Sequence, residues 1–351
     1  MTRSQRILAL GTVFAFGRAH GFLLPSSRLS TGSRHRGVSC LSQSSENDID
    51  TAWPDIERPV SRENVNIEAL AKGQKGRRQV FADVLRLGSA AAAGCACLAC
   101  SPGAAHGLAQ ITGPSADAIA AYDLPRDAEL DAAFAQDMAY GMRDYEAEAY
   151  PKKRELFRRL FSSLEDKGTG AVVAEVGMGS FPNALYYARN KKVRGLDIIG
   201  VDPNNEMEYY AKDSAKRAKL LDDGQGDSLR IAHGVSEALP LADNSCDAVV
   251  CTLTLCSVVD PERSVAEIKR VLKPGGKFLF WEHVLSQTDD LFALQQVELT
   301  PAQVKRADGC HLDRSTGDTI KTAGFRHLEM EYLELTNFGL LNPTICGIAT
   351  A

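Results

Sequence analysis

From residue 171 to the C-terminus, short apolar runs alternate with amphipathic stretches, and this alternation constrains the fold more than any other feature. The runs are AVVAEV at 171–176, LDIIGV at 196–201, LRIAHG at 229–234, CDAVVCTL at 246–253 and KFLFWEHV at 277–284. Continuous apolar strands separated by helical periods predict a parallel sheet buried on both faces. One helix illustrates the pattern. Asp260 can cap it, Pro261 suits its first turn, and Val265, Ile268 and Leu272 recur on one face. The sequence KPGG at 273–276 is expected to stop it and turn the chain into the next strand. Two further apolar stretches, 325–333 and 344–349, read as a closing pair of strands. Residues 129–165 are helix-forming, with an interruption expected at Pro151.

In such a sheet, ligands bind beyond the carboxyl ends of the strands, near the switch point. The loop after the first strand reads EVGMGSFP at 175–182, where Gly177 and Gly179 let the backbone approach a ligand closely. The helix expected next would present free N–H groups to an anionic part of that ligand. A dinucleotide fingerprint would need a third glycine at 182, where Pro182 stands, so a nicotinamide-dependent oxidoreductase fits this loop poorly. Asp202 ends the second strand, where a carboxylate can accept hydrogen bonds from two ribose hydroxyls. It is also a natural turn residue before Pro203.

Charge divides the chain into two unlike parts. The first 109 residues carry 13 basic and 8 acidic side chains, and the first acidic residue is Glu46; the remainder carries 27 and 37. The overall charge of -5 is therefore a cancellation, and an acidic main body argues against a general nucleic-acid binder. Arg3 and Arg6, an apolar stretch at 7–16 and Ala19-His20-Gly21 have the layout of a signal peptide over 1–21. The acid-free, Ser- and Arg-rich segment that begins at Phe22 resembles the second half of the bipartite plastid presequence of algae with secondary plastids. With its polar spacer it runs over 22–76. Arg77-Arg78, an Ala-rich apolar run and Ala105-His106-Gly107 then resemble a twin-arginine thylakoid signal over 77–109. The expected destination is the thylakoid lumen, or the thylakoid membrane if residues 85–100 stay as an anchor. A secreted or endomembrane protein is the alternative. No apolar run reaches the roughly 18 residues of a membrane span.

Nine cysteines are present, of which Cys40, Cys95, Cys97 and Cys100 fall in the expected address. The other five include no CxxC pair, so spacing indicates neither a disulfide framework nor a zinc site, and no metal is expected. Cys251 and Cys256 read as buried packing residues.

The stretches VVAEVGMG, IIGVDPN, SEALPLADNSCDAVVCTLTLCSV at 236–258 and EIKRVLKPGGKFLFWEHV at 267–284 together resemble the class I S-adenosylmethionine-dependent methyltransferases of the type 11 group. KKRELF at 152–157, CTLTLCSV, WEHV, DGCHL at 308–312 and NPTICGIA at 342–349 are similar to segments of the methyltransferase-like thiol S-methyltransferases. The resemblance implies an α/β, Rossmann-like fold with a seven-stranded, mostly parallel sheet and helices on both faces. That domain would span 170–351, behind a helical N-terminal extension at 110–169.

The resemblance also implies roles. Glu175 and the backbone of Gly177, Met178 and Gly179 would face the methionine part of S-adenosylmethionine. Asp202 would hold the ribose with Pro203 beside the adenine, Ser236 and Glu237 would line the adenine edge, and Thr252 with Leu253 would close the site. Two departures stand out: Phe181 replaces the family's usual third glycine, and Val235 stands where many relatives carry Asp or Asn. The partner implied is a small-molecule methyl acceptor, a thiol or a lipid- or quinol-like compound, attacked in line with the donor sulfur. His283 is the candidate base, or a structural histidine or pocket wall, while Asp308 and His311 are candidates for the acceptor loop. A nicotinamide oxidoreductase and an inactive plastid assembly protein remain rival expectations.

Overall fold

A computed structural model describes residue 111 and residues 116–351, apart from 222, 223, 225 and 337. The expected address segments and their four cysteines lie outside the described residues. Seven strands form one sheet: β1 (Val172–Val176), β2 (Asp197–Asp202), β3 (Ser228–His233), β4 (Cys246–Thr252), β5 (Leu272–His283), β6 (His327–Leu333) and β7 (Thr344–Thr350). Their order is β3-β2-β1-β4-β5-β7-β6; β7 runs antiparallel to β5 and β6, and the other pairings are parallel. The order reverses between β1 and β4, which places the switch point at the carboxyl ends of those two strands.

Alternation along each buried strand feeds two cores. Val173, Ile198, Val250 and Trp281 face one, and Val172, Ala174, Ile199, Val249 and Phe280 face the other. The first core is covered by α3 (Arg143–Ser163), α4 (Ala184–Ala188) and α5 (Met207–Arg217). The second is covered by α6 (Pro261–Val271) and α8 (Thr316–Thr322). Asp260 caps α6 by accepting from Arg263 N at 2.9 Å, as its position suggested. The chain then enters β5 at Leu272, with the KPGG segment inside the strand's span rather than before it.

The helical lead-in differs from the expectation. After α1 (Ala116–Ala120), the break falls between α2 (Ala128–Gly141) and α3, at Gly141-Met142, while Pro151 lies inside an unbroken α3. An interior proline costs about 3 kcal/mol. Leu156, Phe157, Leu160 and Phe161, all buried on the same helix, each contribute roughly 2 kcal/mol by burial, and their sum prevails. Tyr145 of α3 also accepts a hydrogen bond from the Trp281 indole at 2.9 Å, tying the lead-in to the sheet centre. A long α7 (Asp290–Arg306) follows β5 and leads into the loop that carries Asp308 and His311. Among the described residues no helix is long and apolar enough to cross a membrane.

Candidate active site at the switch point

The loop after β1 keeps the geometry of a glycine-rich turn without three glycines. Gly177, Gly179 and Phe181 have φ of 62°, 56° and 58°, so the left-handed position of the absent third glycine is filled by a phenylalanine. Phe181 is fully buried against Tyr187, with ring centroids 5.5 Å apart. Burial of the ring offsets the strain of this conformation. Gly177 admits no substitute, because a Cβ there would lie 2.3 Å from the Thr254 side chain. Gly179 faces open space, a floor for a ligand. Met178 turns the other way: its side chain is buried against Gly200, so only its backbone belongs to the loop surface.

Asp202 sits opposite this loop. Its Oδ2 accepts from Gly179 N at 2.8 Å and its Oδ1 from Asn204 N at 2.9 Å. A carboxylate offers about four acceptor sites, so two remain for a pair of ribose hydroxyls. Burial raises its pKa to about 6, against the pull of the two backbone donors; Asp308 adds to the rise and Arg126 opposes it.

Glu175 is held from within the fold. Its carboxylate is buried and accepts from Asn183 Nδ2 at 2.8 Å and Tyr187 Oη at 2.7 Å, and burial pushes it up to about 7. Asn183 is the residue that sequence reasoning missed. Its amide also donates to Thr252 Oγ1 at 3.1 Å, and its Oδ1 is buried with no partner among the described residues. That acceptor suits the ammonium of a methionine moiety. The helix expected to offer N–H groups to an anion is only the five-residue α4, and its first amides are spent on the turn, as in Ala184 N to Phe181 O. It supplies no such site.

The adenine-side expectations are partly corrected. Pro203 lines an open cleft of about 410 Å³ together with Asp123, Arg126, Asn205 and His233. Glu237 is committed elsewhere, accepting from Val259 N at 2.6 Å and Asp260 N at 3.1 Å in the turn before α6. Ser236 Oγ is buried and unpartnered among the described residues, which leaves it available where Val235 offers no polar atom. The lead-in closes this side. His233 contacts Asp123 at 2.8 Å, Asn204 Nδ2 donates to Asp131 O at 3.1 Å, and Arg126 bridges Asp131 and Asp308 at 2.8 Å each.

Beyond β4 the chain turns sharply, with Leu253 at φ 54°. Thr254 N donates to Glu282 at 3.0 Å, and Thr254 Oγ1 reaches Val176 O at 3.2 Å. Next to Glu282, His283 is buried with its Nε2 3.2 Å from Cys310 Sγ, while its Nδ1 has no partner among the described residues. Cys256 completes the group: its Sγ, a His283 ring nitrogen and the Cys310 Sγ all lie within 4.8 Å of one another. The Cys256 hydrogen bond and the imidazole hold the Cys310 thiol well below its ordinary range, while Cys256 itself is pushed up; burial pulls His283 down, but the facing Cys310 holds it above its own range. No spacing rule could reveal this group, because its members come from three distant segments. Cys256 and Cys251 are both buried, as expected, Cys251 in the sheet core and Cys256 facing this group. His311 is turned onto Gly309 O at 2.8 Å, and Asp308 is engaged by Arg126.

Residues 174–280 match the family described as methyltransferase domain. Thiol S-methyltransferase TMT1B of Rattus norvegicus is 37% identical over 196 residues, 55% of this chain and 77% of that protein. Thiol S-methyltransferase TMT1A of Homo sapiens is 34% identical over 206 residues, 58% of this chain and 80% of that protein. The ubiquinone/menaquinone biosynthesis C-methyltransferase UbiE of Hahella chejuensis is 35% identical over 150 residues, 41% of this chain and 58% of its own length. These matches displace the oxidoreductase expectation. The glycine turn, the free acceptor sites of Asp202 and the Asn183 carbonyl fit S-adenosylmethionine as the methyl donor. The chain belongs to the class I S-adenosylmethionine-dependent methyltransferases and transfers a methyl group to a small-molecule acceptor.

Proposed function

We propose that the acceptor is a small thiol, methylated on sulfur. The observation that carries this reading is the 37% identity to a thiol S-methyltransferase across 77% of its length. S-adenosylmethionine supplies an activated methyl on its sulfonium. Asp202 takes the ribose, Asn183 and Thr252 hold the methionine end, and the Leu253 turn sets where the methyl faces. The protein's remaining task is to align the acceptor sulfur with the methyl carbon and the leaving sulfur.

A free thiol with a pKa near ~8.5 is only a few per cent ionised at neutral pH, so the site must favour the thiolate. His283 is the imidazole at this edge, but its Nε2 is taken by Cys310, so it acts with Cys256 and Cys310 as one group rather than as an isolated base. Incubation with S-adenosylmethionine and a panel of thiols, phenols and quinols, read by mass spectrometry, tests the assignment. Methylthioether from the thiols is expected; methyl uptake confined to oxygen or carbon acceptors would refute it.

The basic, acid-poor first 109 residues support a plastid destination, as an extension of the same proposal. A fluorescent fusion of those residues is expected in the plastid, and retention along the secretory route would contradict this.

A further inference from the structure

We infer that Cys256, His283 and Cys310 form a binding site for a zinc(II) ion with one coordination position open to the acceptor. The inference rests on the thiol reading for its acceptor, but not for the metal. Two thiolates and one imidazole are the donor set of a catalytic rather than a structural zinc site, which keeps a fourth position for a ligand. Tetrahedral bonds of ~2.3 Å to sulfur and ~2.0 Å to nitrogen put the donor atoms about 3.5–3.8 Å apart. The three atoms here already lie within 4.8 Å of one another, with His283 Nε2 3.2 Å from Cys310 Sγ. Small rotations bring them to a common centre.

Charge favours the same conclusion. Cys256, His283 and Cys310 are 2%, 1% and 7% exposed. Both cysteines would lose a proton on binding a metal, and a divalent cation with two thiolates makes a neutral group that burial tolerates. The supports are also built in. His311 N donates to Cys256 O at 2.8 Å, Arg314 donates to the carbonyls of Leu255 and Val258, and Gln303 Nε2 lies 3.7 Å from Cys310 Sγ. Among the described residues no fourth His, Cys, Asp or Glu joins the group.

Its position makes the open site useful. Gly177 packs on Thr254, Thr254 N bonds Glu282, and His283 follows Glu282, so the group lies next along the carboxyl edge from the donor's glycine turn. An acceptor thiol that binds the metal loses its proton to solvent and is held as thiolate at neutral pH. Its sulfur then forms a bond to the methyl carbon while the methyl–sulfonium bond breaks. The electron pair of that bond stays on the donor sulfur. The products are a thioether, a weak ligand that departs, and S-adenosylhomocysteine.

The test uses the full chain, loaded with zinc(II) and, separately, with cobalt(II) as a spectroscopic probe. About one zinc per chain is expected, with the intense visible bands of tetrahedral cobalt and a sulfur-to-cobalt charge-transfer band in the near ultraviolet. Adding a thiol should shift the visible bands. Cys256→Ser and Cys310→Ser should each lower metal affinity by more than the roughly 10–100-fold that loss of a supporting group costs, whereas Cys246→Ser should not. Because the wild-type spectrum needs no variant, misfolding of a variant cannot mask the result. No cobalt spectrum and no stoichiometric zinc would overturn the site. Bands that ignore added thiol would overturn the open position. Bound zinc without methylation of any thiol would instead refute the acceptor reading alone, and thiol methylation undiminished after metal removal would refute the metal's role.

Discussion

Arg126 and Asp308 meet at 2.8 Å although 182 positions separate them, one in the lead-in and the other in the loop after α7. Their contact bridges the lead-in and that loop at the edge of the cleft that Arg126 and Pro203 line. Both also act on Asp202, in opposite directions. The lead-in therefore flanks the cleft as well as supporting the sheet.

If that bridge shapes the donor site, Arg126→Ala and Asp308→Ala should each weaken S-adenosylmethionine binding, and the double variant should be little worse than either single one. Both side chains are partly exposed, so a coupling of at most about 1 kcal/mol, roughly fivefold, is expected, and less in high salt. Calorimetric titration of the four forms checks this. Fully independent effects would separate Arg126 from Asp308.

Asp202 sets a pH limit on donor binding. Its pKa of about 6 means that protonation below that pH weakens it as an acceptor, so the donor dissociation constant should rise about fivefold between pH 6 and pH 5. Asp202→Asn should bind weakly and lose this dependence. Stability moves with the same group: because folding raises its pKa from 3.8, Asp202 costs nothing at low pH, and its destabilisation grows as pH rises through the window from 3.8 to about 6. Binding isotherms across pH 5–8 read the first effect.

Gly177→Ala should abolish donor binding. The new methyl meets the Thr254 side chain at 2.3 Å, on a backbone at φ 62°. The positive φ costs about 1 kcal/mol and overpacking about 1–3 kcal/mol more. A urea melt should show a loss of about 2–4 kcal/mol.

Phe181→Gly separates strain from packing at the neighbouring position. Relief of the left-handed conformation returns about 1 kcal/mol, but removing a fully buried ring costs about 3–5 kcal/mol. A net loss of about 2–4 kcal/mol is expected in the same melt. A gain in stability would show that the ring is poorly packed against Tyr187.

The sheet was legible because fully buried strands leave continuous apolar runs and because Asp260-Pro261 marks a helix start chemically. Asp202 was legible for the same reason, standing at the end of such a run. Pro151 misled, since local propensity yields where a helix carries four large buried side chains beyond the proline. The partners of Glu175 and Glu237 were not legible: their carboxylates accept from the Tyr187 hydroxyl and from the Val259–Asp260 turn. Asn183 and the Cys256–His283–Cys310 group were hidden because their partners are distant in sequence and only the crossovers of the sheet bring them together. The bridge from Arg126 to Asp308 was hidden for the same reason.

The central assignment is the transfer of a methyl from S-adenosylmethionine to sulfur. Donor carrying a trideuterated methyl, incubated with the full chain and a small thiol, tests it directly by mass spectrometry of both products. The account predicts S-adenosylhomocysteine and an equal amount of trideuteromethyl thioether, with the label on sulfur. Label on oxygen or carbon acceptors only, or none on any acceptor, would contradict it.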